Sequence, residues 1–569
     1  MDNLVVPPDS FSPIKSIFLR DLILLLALSS LMLLVGLGDI GLTDRDEGSN
    51  AEAAREMLET GDWISPTLNY EPRFAKPAFV YWIISVSYAV LGVNEFSARF
   101  PSALFGIGLI LLQYSFLARF GGARIALFGS LILLLNLEMI GISRMVLTDP
   151  ELVFFTTLAT YGFWLGMESE QRKHLYFLGF YIGMGGGMLA KGPVGIIIPL
   201  LAVVPYLTIT KQWGQYWKSG YPLLGMLLFA VIAAPWYIAM FMIHEEAYLA
   251  AAQANTTGRF ANPMEGHGGT IFFYLPVLFL GFFPWSAFLP MSLFNSLKNW
   301  KMFRGRMHER SVEQKLEFFL GLWIIGLLIF FTLSSTRLPH YIFPLFPASA
   351  VLVALFWRRI FLETSPAGLA ISIRILVILG YVFGLALATV PVAYLMFIEK
   401  MTKEFPAAAQ MDVGILPVIL GLIIIIGTMS VRYLLAEKEK RLYSFGVAGG
   451  MMAVFILMIV LVALPRFSEY FINPPQKLAS LAGLNLKKDD RLIQFGRKRP
   501  SLTFYGQRKV YQINPGEDGK FVPHVNAPGR KMIVLQSHLR RQLPDSVSNY
   551  SLVLERDGFS LLASDSLIK

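Results

Sequence analysis

The chain has 569 residues, of which 55% are hydrophobic and only 15% are charged, and its mean hydropathy is +0.55. Soluble domains carry about 25% charged residues, so this composition, with its repeated apolar runs of about 20 residues, predicts a polytopic α-helical membrane protein. The absence of cysteine excludes disulfides and thiolate metal sites, and the net charge of +10 reflects predicted cytoplasmic loops rather than a nucleic-acid-binding module.

The first predicted span, 18–38, follows Lys15 and Arg20, which places the N-terminus in the cytoplasm. The next loop, 39–97, therefore lies on the opposite side, the periplasm of a Gram-negative cell. In this loop the sequence AEAAREML has apolar residues at helical spacing, which predicts a helix lying on the membrane surface with an acidic start. The run Phe79 to Val93 has about fifteen apolar residues, too few to span, and is predicted to lie in the interface.

With that choice, the basic loops fall on the cytoplasmic side, including the strongly basic loop 294–316. The loop 244–270 falls on the periplasmic side. About thirteen spans result, and an odd number places the C-terminal end of the chain in the periplasm. The remaining spans are predicted near 98–118, 124–143, 150–168, 174–190, 193–210, 221–243, 271–293, 317–335, 342–358, 375–397, 413–431 and 444–464.

The composition changes after Pro465, where the long apolar runs end. The segments RLIQFG, KVYQI, KMIVLQ and NYSLVLERDG are typical of short strands, and PPQKLASLAG and SHLRRQL of helices between them. We therefore predict a membrane domain over 1–464 and a small periplasmic α/β domain over 465–569. This second domain has no recognisable catalytic constellation, so a capping or partner-binding role is favoured.

Four motifs, DRDEGSNAEAAREM, GDWISPTLN, FAKPAFVYW and GVNEFSARFPSALFG, follow one another over the first outer loop. In this order and spacing they resemble the aminoarabinose transferase group of the protein O-mannosyltransferase-like glycosyltransferases. FGRKRPSLTFYGQRKV extends the resemblance to the C-terminal domain. The resemblance implies a GT-C membrane fold, a polyprenyl (undecaprenyl) phosphate-linked sugar donor and a glycolipid acceptor such as lipid A.

Several cations lie on predicted outer turns. Lys76 precedes Pro77, Lys191 lies at a helix break before Gly192, and Arg259 lies in the long outer loop. Transfer of a sugar from a polyprenyl phosphate releases a phosphate anion, and cations held at that point stabilise the transition state. The alternative for each is a side chain that reaches the lipid headgroups from a helix end. The breaks beside Lys76 and Lys191 favour a cavity, because a break leaves unpaired backbone that usually lines one.

Two carboxylates suit the other half of the reaction. Asp46 can orient the acceptor, or take its proton if the acceptor is a hydroxyl. Asp149 is either a second acidic contact or the N-cap of the helix that Pro150 begins. The resemblance implies the same roles and adds further residues. It implies catalytic Asp46 and Asp149, and substrate-binding Glu47, Lys76, Lys191, Arg259 and Tyr341.

The chain departs from the family pattern at two places. His340 matches a histidine that can bind a divalent metal, but the glutamate that often partners it is replaced by Ala75. A single histidine is a poor metal site, so a divalent ion is only a candidate cofactor. Ser49 and Asn50 stand where the family often has Arg-Tyr, which changes the contacts expected for donor or acceptor.

The sequence therefore predicts an inner-membrane glycosyltransferase with a periplasmic active site, which inverts the anomeric carbon because a single direct attack does so. It has no P-loop or dinucleotide fingerprint, so no nucleotide is expected. Two alternatives stay open. One is an envelope polysaccharide ligase or polymerase, and the other is a non-enzymatic lipid-sugar transporter. A transporter is expected to carry ionisable residues in mid-membrane, whereas the candidates here gather at one surface.

Overall fold

The structure is a computed structural model that describes residues 15–262, 268–304 and 309–565. Within these ranges, eight helices are long and apolar enough to cross a membrane, or up to ten if each of two bent pairs is one span. The fold is thus that of a multi-pass membrane protein, with a small sheet domain near its C-terminal end. The predicted count of about thirteen spans stays a prediction.

The helices of the first half follow the predicted spans, with two sharp bends. Helices α5 and α6 meet at 65°, and α9 and α10 at 117°. Helix α3 has 13 residues and is shorter than a span. The helices are α1 (Lys15–Leu34), α2 (Asp46–Thr60), α3 (Phe79–Leu91), α4 (Glu95–Leu117), α5 (Gly122–Leu134), α6 (Leu137–Ser143), α7 (Asp149–Glu168), α8 (Lys173–Lys191), α9 (Val194–Thr210), α10 (Trp213–Ser219), α11 (Pro222–Gln253) and α12 (Arg259–Ala261).

The helices of the second half are more interrupted. The predicted span 271–293 is divided into two short helices by a 3₁₀ turn over Trp285–Ala287. The predicted span 375–397 covers parts of two successive helices. The helices are α13 (Tyr274–Gly281), α14 (Leu289–Leu297), α15 (Val312–Leu333), α16 (Phe346–Leu362), α17 (Leu369–Ala388), α18 (Val390–Glu404), α19 (Leu416–Ala436), α20 (Arg441–Met458), α21 (Leu464–Phe471) and α22 (Asn473–Asn485).

Helices α7 and α8 form an antiparallel hairpin whose backbones approach very closely. A Cβ on Gly162 would lie 2.6 Å from the carbonyl oxygen of Tyr176, and one on Gly183 would lie 2.5 Å from that of Phe155. Small residues at such contacts are typical of helices packed within a membrane. The hairpin brings the start of α7 beside the end of α8, and this is where the candidate active site lies.

The segment 39–97, predicted to be the first outer loop, forms α2, α3 and a two-stranded hairpin of β1 (Thr67–Leu68) and β2 (Glu71–Pro72). The prediction of a helix after Asp46 is confirmed, and its residues 47–57 are all buried within the protein. Its position on the membrane surface stays a prediction. Ala51, Ala54 and Met57 pack with α3 and with Phe504 of the C-terminal domain. The C-terminal domain therefore covers part of α2. This contact joins segments that are distant in sequence, so the local periodicity of α2 could not predict it.

The C-terminal domain contains a five-stranded sheet in the order β4-β3-β5-β7-β6. β3 is parallel to β4 and β5, whereas β7 is antiparallel to β5 and β6. Strand β7 was not predicted from the sequence; it follows a tight turn at Asp557-Gly558 where both φ angles are positive. The elements are β3 (Arg491–Phe495), α23 (Ser501–Gly506), β4 (Val510–Ile513), α24 (Asp518–Val525), β5 (Lys531–Gln536), β6 (Ser551–Arg556) and β7 (Phe559–Ala563). The boundary predicted at 465 stays a prediction.

Candidate active site

The centre of the site is an ion pair across the α7–α8 hairpin. Lys191 at the end of α8 donates a 2.6 Å hydrogen bond to Oδ1 of Asp149 at the start of α7. Both side chains are largely buried. The other carboxylate oxygen, Oδ2, lies 4.0 Å from Nε2 of His340. Three of the residues predicted from sequence therefore meet, although they are up to 191 positions apart along the chain.

Tyr341 joins this group to Arg259. The Lys191 ammonium lies 5.2 Å from the centre of the Tyr341 ring, a cation–π distance. The Tyr341 hydroxyl lies 3.4 Å from Nη1 of Arg259. The Nε of Arg259 is buried and has no hydrogen-bond partner among the described residues. An unpaired donor beside two further cationic or hydroxyl groups suits an anionic ligand.

Lys76 belongs to the same electrostatic cluster. It lies on the segment between β2 and α3, and its side chain is partly buried. Burial, and then the positive charges of Lys191 and Arg259, lower the pKa of Lys76 to about 7, against the opposing effect of Asp46 and Asp149. Burial and the two neighbouring cations all disfavour the charged form of Lys76, and an incoming anion would favour it.

Asp46 is the first residue of α2, and its side chain is exposed. No hydrogen bond to its carboxylate is present among the described residues, while its charge acts on both Lys76 and His340. Lys76, Lys191 and Arg259 are called the cationic cluster below. Asp46 is thus a carboxylate without hydrogen bonds to described residues, within electrostatic range of this cluster. This differs from Asp149, whose buried carboxylate is committed to Lys191.

Glu47 has a different environment from its neighbour. Arg99 donates two hydrogen bonds to its carboxylate, at 2.9 and 3.1 Å, and both side chains are almost fully buried. Thr43 and the Val146 amide donate three more. Burial alone raises the pKa of Glu47, but Arg99 and these amides hold that pKa below its usual value. With five bonds accepted, this geometry favours a structural role over the substrate binding predicted from sequence.

The residues around His340 do not fit a divalent metal. Its nearest carboxylate, Asp149, is already bonded to the Lys191 ammonium, which would repel a metal cation. Ala75 supplies no ligand, and the described part of the chain contains no group of three or more His, Asp or Glu side chains that could hold a metal ion. Structural and catalytic zinc sites use at least three protein ligands. We therefore derive no step through a metal.

Three wholly or partly buried charged residues near the site, Arg99, Glu138 and Glu151, were not predicted from the sequence. Arg99 contacts Glu47 and three backbone carbonyls of the segment before it. Glu138 and Glu151 each keep one buried carboxylate oxygen without a partner among the described residues. All three stand within or next to apolar helices, and an ionisable residue in such a position is the signal that could have identified them.

The geometry supports a specific chemical capacity. Lys76, Lys191 and Arg259 act on one another electrostatically, and Tyr341 contacts both Lys191 and Arg259, so this group of residues favours a phosphate-like anion. Asp46 adds a carboxylate that is not consumed by the protein's own bonds. Cations for a departing anion and a carboxylate for an incoming acceptor are the two requirements of group transfer from a phosphate carrier.

Comparison with known proteins places this arrangement in context. Residues 47–249 match the profile of the dolichyl-phosphate-mannose-protein mannosyltransferase family. The crystal structure of ArnT from Cupriavidus metallidurans bound to undecaprenyl phosphate is similar, with a TM-score of 0.77 and 22% sequence identity. That match covers 96% of this chain and 98% of the other. The fold is therefore the GT-C membrane fold.

Two sequence relatives define the family. The undecaprenyl phosphate-alpha-4-amino-4-deoxy-L-arabinose arabinosyl transferase of Pseudomonas aeruginosa (strain UCBPP-PA14) is 30% identical over 388 residues, 67% of each chain. The protein of the same name from Enterobacter sp. (strain 638) is 31% identical over 339 residues, 58% of each chain. The chain belongs to this arabinosyl transferase family. The match spans less than two thirds of the length of the Enterobacter relative.

Proposed function

We propose that the protein is a membrane glycosyltransferase that moves a sugar from an undecaprenyl phosphate carrier to a cell-envelope acceptor, lipid A or a related glycolipid. The observation that carries the proposal is the meeting of Lys76, Lys191, Arg259 and Tyr341 beside the exposed carboxylate of Asp46. The names of the family members support the donor and the sugar-transfer reaction. The first outer loop and the C-terminal domain would face the periplasm, with the chain in the inner membrane.

In this proposal the cations act on the leaving group. Arg259, whose Nε has no partner, and Lys191 hold the carrier phosphate, so the charge that develops as the sugar–oxygen bond breaks is neutralised in place. Lys76 gains its proton when the phosphate arrives. The Asp149 carboxylate keeps Lys191 extended toward the phosphate, so Asp149 acts as a positioning residue.

Asp46 acts on the acceptor. If the acceptor is a hydroxyl, its proton moves to the Asp46 carboxylate while the hydroxyl oxygen attacks the anomeric carbon. If the acceptor is an ionised phosphate, no base is needed and Asp46 orients it. In both cases one direct attack inverts the anomeric centre, and the carrier leaves as undecaprenyl phosphate.

The proposal is tested with purified protein in liposomes that contain the undecaprenyl phosphate-linked sugar and lipid A. We expect mass spectrometry to show lipid A increased by the mass of one sugar residue. Asp46→Asn should abolish this product. Asp62→Asn is the matched control, because Asp62 is an exposed carboxylate of the same loop that bonds only its own turn.

The two alternatives give different results in the same experiment. A ligase or polymerase would attach a polymeric glycan and leave lipid A without a single added sugar. A transporter would move labelled carrier lipid across the bilayer and form no product. Full activity of Asp46→Asn would remove Asp46 from the reaction.

The proposed orientation has its own test. A reporter fused after Arg441 should lie in the cytoplasm, and one fused at Lys569 in the periplasm. The reverse pattern would overturn both the periplasmic placement of the C-terminal domain and the assignment of Phe79–Val93 to the interface.

A further inference from the structure

The C-terminal domain forms hydrogen bonds with the segment that carries Asp46. Arg499 donates a 3.1 Å hydrogen bond to Oδ2 of Asp44, two residues before Asp46. Ser501 donates to the other oxygen, Oδ1, from its hydroxyl at 2.5 Å and from its amide at 3.2 Å. Both carboxylate oxygens of Asp44 are therefore bonded by a domain that lies about 455 positions further along the chain.

These contacts lie where an α/β domain usually binds its ligand. Arg499 and Ser501 follow the carboxyl end of β3, at the point where the chain leaves to one side for β4 and returns on the other for β5. Ligands of open α/β sheets bind in the crevice at such a switch point. Here the cleft beyond β3 and β5 leaves only about 10 Å³ open, far less than a small-molecule site of about 300 Å³ or more.

The groups that occupy this region come from the membrane domain. Besides Asp44, Glu404 at the end of α18 forms an ion pair with Arg497, and its carbonyl accepts a 2.9 Å hydrogen bond from Gln536. Arg497 and Gln536 lie at the carboxyl ends of β3 and β5. The crevice thus binds two acidic residues of the same chain instead of a separate ligand.

The backbone between Asp44 and Asp46 is strained. Arg45 has φ 70° and ψ −95°, a conformation that L-residues rarely adopt and that persists only where the surroundings enforce it. On the N-terminal side of Arg45, the hydrogen bonds from Arg499 and Ser501 to Asp44 fix the backbone. On the C-terminal side of Arg45, Gly48 packs closely against Ser501, since a Cβ on Gly48 would lie 2.8 Å from the Ser501 backbone.

We infer that Arg499 and Ser501 are positioning residues for the sugar-transfer reaction: by holding Asp44 they keep the turn at Arg45 in its strained form and so fix where the Asp46 carboxylate points. The inference rests on the proposed function for its kinetic consequence. It gives the C-terminal domain a role in catalysis, although that domain contributes no group to the cationic cluster. Without the hydrogen bonds from Arg499 and Ser501 to Asp44, the turn at Arg45 would relax and Asp46 would lose its alignment with the acceptor.

The test compares Arg499→Ala with Arg530→Ala in the full-length protein reconstituted in liposomes. Arg530 is the matched control, because it also pairs with an aspartate, Asp565, but within the C-terminal domain. We expect Arg499→Ala to lower kcat about tenfold and to leave KM for the carrier-linked donor within about twofold. Arg530→Ala should change neither. A lower kcat with an unchanged KM would show that Arg499 acts on the alignment of Asp46 with the acceptor and not on binding of the donor.

Two further measurements separate positioning from loss of fold. The double variant Asp44→Asn, Arg499→Ala should lose no more activity than the less active of the two single variants. The reason is that both substitutions remove the same ion pair, the one between Asp44 and Arg499. The amides of Gly48 and Ser49 should exchange hydrogen faster in Arg499→Ala and not in Arg530→Ala. If Arg499→Ala does not fold, Ser501→Ala removes one hydroxyl bond from Asp44 and should reproduce both effects in smaller measure.

The inference is overturned if Arg499→Ala retains the wild-type kcat while Asp46→Asn is inactive, or if Arg499→Ala and Arg530→Ala lose activity equally. It also fails if the Asp44 and Arg499 variants are additive. A wild-type protein that transfers no sugar would count against the proposed function, and the hydrogen exchange of Gly48 and Ser49 would still decide whether Arg499 orders this turn.

Discussion

The ammonium of Lys191 and the carboxylate of Asp149 form a 2.6 Å ion pair at the open end of the α7–α8 hairpin. The same helix, α7, ends in Glu168, which pairs with Lys315 at 2.9 Å. One helix therefore carries a lysine–carboxylate pair at each end, but only the Asp149 pair lies beside His340 and Tyr341. The two pairs provide an internal comparison between an ion pair proposed to bind the carrier phosphate and one that lies away from the candidate site.

The first prediction uses that comparison. Lys191→Met should weaken binding of undecaprenyl phosphate by tenfold or more, and Lys315→Met should leave it unchanged. Lys191→Met should lower the free energy of unfolding by about 3 kcal/mol, because it leaves the buried carboxylate of Asp149 without this partner, and Lys315→Met should lower it less, because Glu168 is only partly buried. Titration of the carrier lipid and chemical denaturation of both variants measure the two effects. Equal carrier affinity in the two variants would contradict a phosphate-binding role for Lys191.

The second prediction concerns Arg259. Arg259→Lys keeps the positive charge but loses the planar donor set that grips a phosphate, so the carrier affinity should fall about tenfold. Tyr341→Phe removes only a 3.4 Å contact to Arg259 and should cost less. Arg358→Lys is the control, since Arg358 pairs with Glu313 away from the site. A larger loss in Tyr341→Phe than in Arg259→Lys would show that the hydroxyl, not the guanidinium, binds the phosphate.

The third prediction is a pH dependence that Lys76 causes. With a pKa of about 7 in the free protein, Lys76 is charged below pH 7 and increasingly neutral above it. Binding of a phosphate requires the charged form, so the carrier affinity should fall as the pH rises from 7.5 to 9.5. The phosphate itself does not titrate in that range, because its second pKa is about 6.

Lys76→Arg provides the control for this dependence, since a guanidinium keeps its charge over the whole range. Its carrier affinity should be nearly constant between pH 7.5 and 9.5. Equilibrium binding measured at four or five pH values decides the matter. An identical slope in the wild type and in Lys76→Arg would mean that another group titrates.

The fourth prediction concerns the buried pair of Glu47 and Arg99. Glu47→Gln should lower the free energy of unfolding at pH 7.5 by about 3–5 kcal/mol, because Arg99 is left buried without its counter-charge. The pKa of Glu47 is depressed in the folded protein, so its stabilisation is present above pH 4.5 and is lost as the pH falls below that value. The difference between wild type and Glu47→Gln should therefore shrink near pH 4. A difference that is independent of pH would contradict an ionised Glu47.

Several features of the fold follow from local sequence. Spans such as α4, α15 and α19 were predictable because about 20 apolar residues between charged loops are a local property. The division of 271–293 into two short helices was missed, although Gly281 and Pro284 stand at the break and proline ends a helix by local chemistry. The strand β7 was missed although it pairs with the adjacent β6 across the Asp557-Gly558 turn, which is a local hairpin signal.

The sequence by itself determined the membrane class, the family and the residue types available for phosphate chemistry, because hydropathy, loop charge and motif order are properties of neighbouring residues. Tertiary structure alone decided which of these residues share one environment. Glu47 and Asp46 are adjacent, yet one is bonded to Arg99 in a buried network and the other is exposed within range of Lys76. Asp44 and Arg499 are 455 positions apart and in contact. Burial and pairing set the role of a carboxylate, and both depend on chain segments that are distant in sequence.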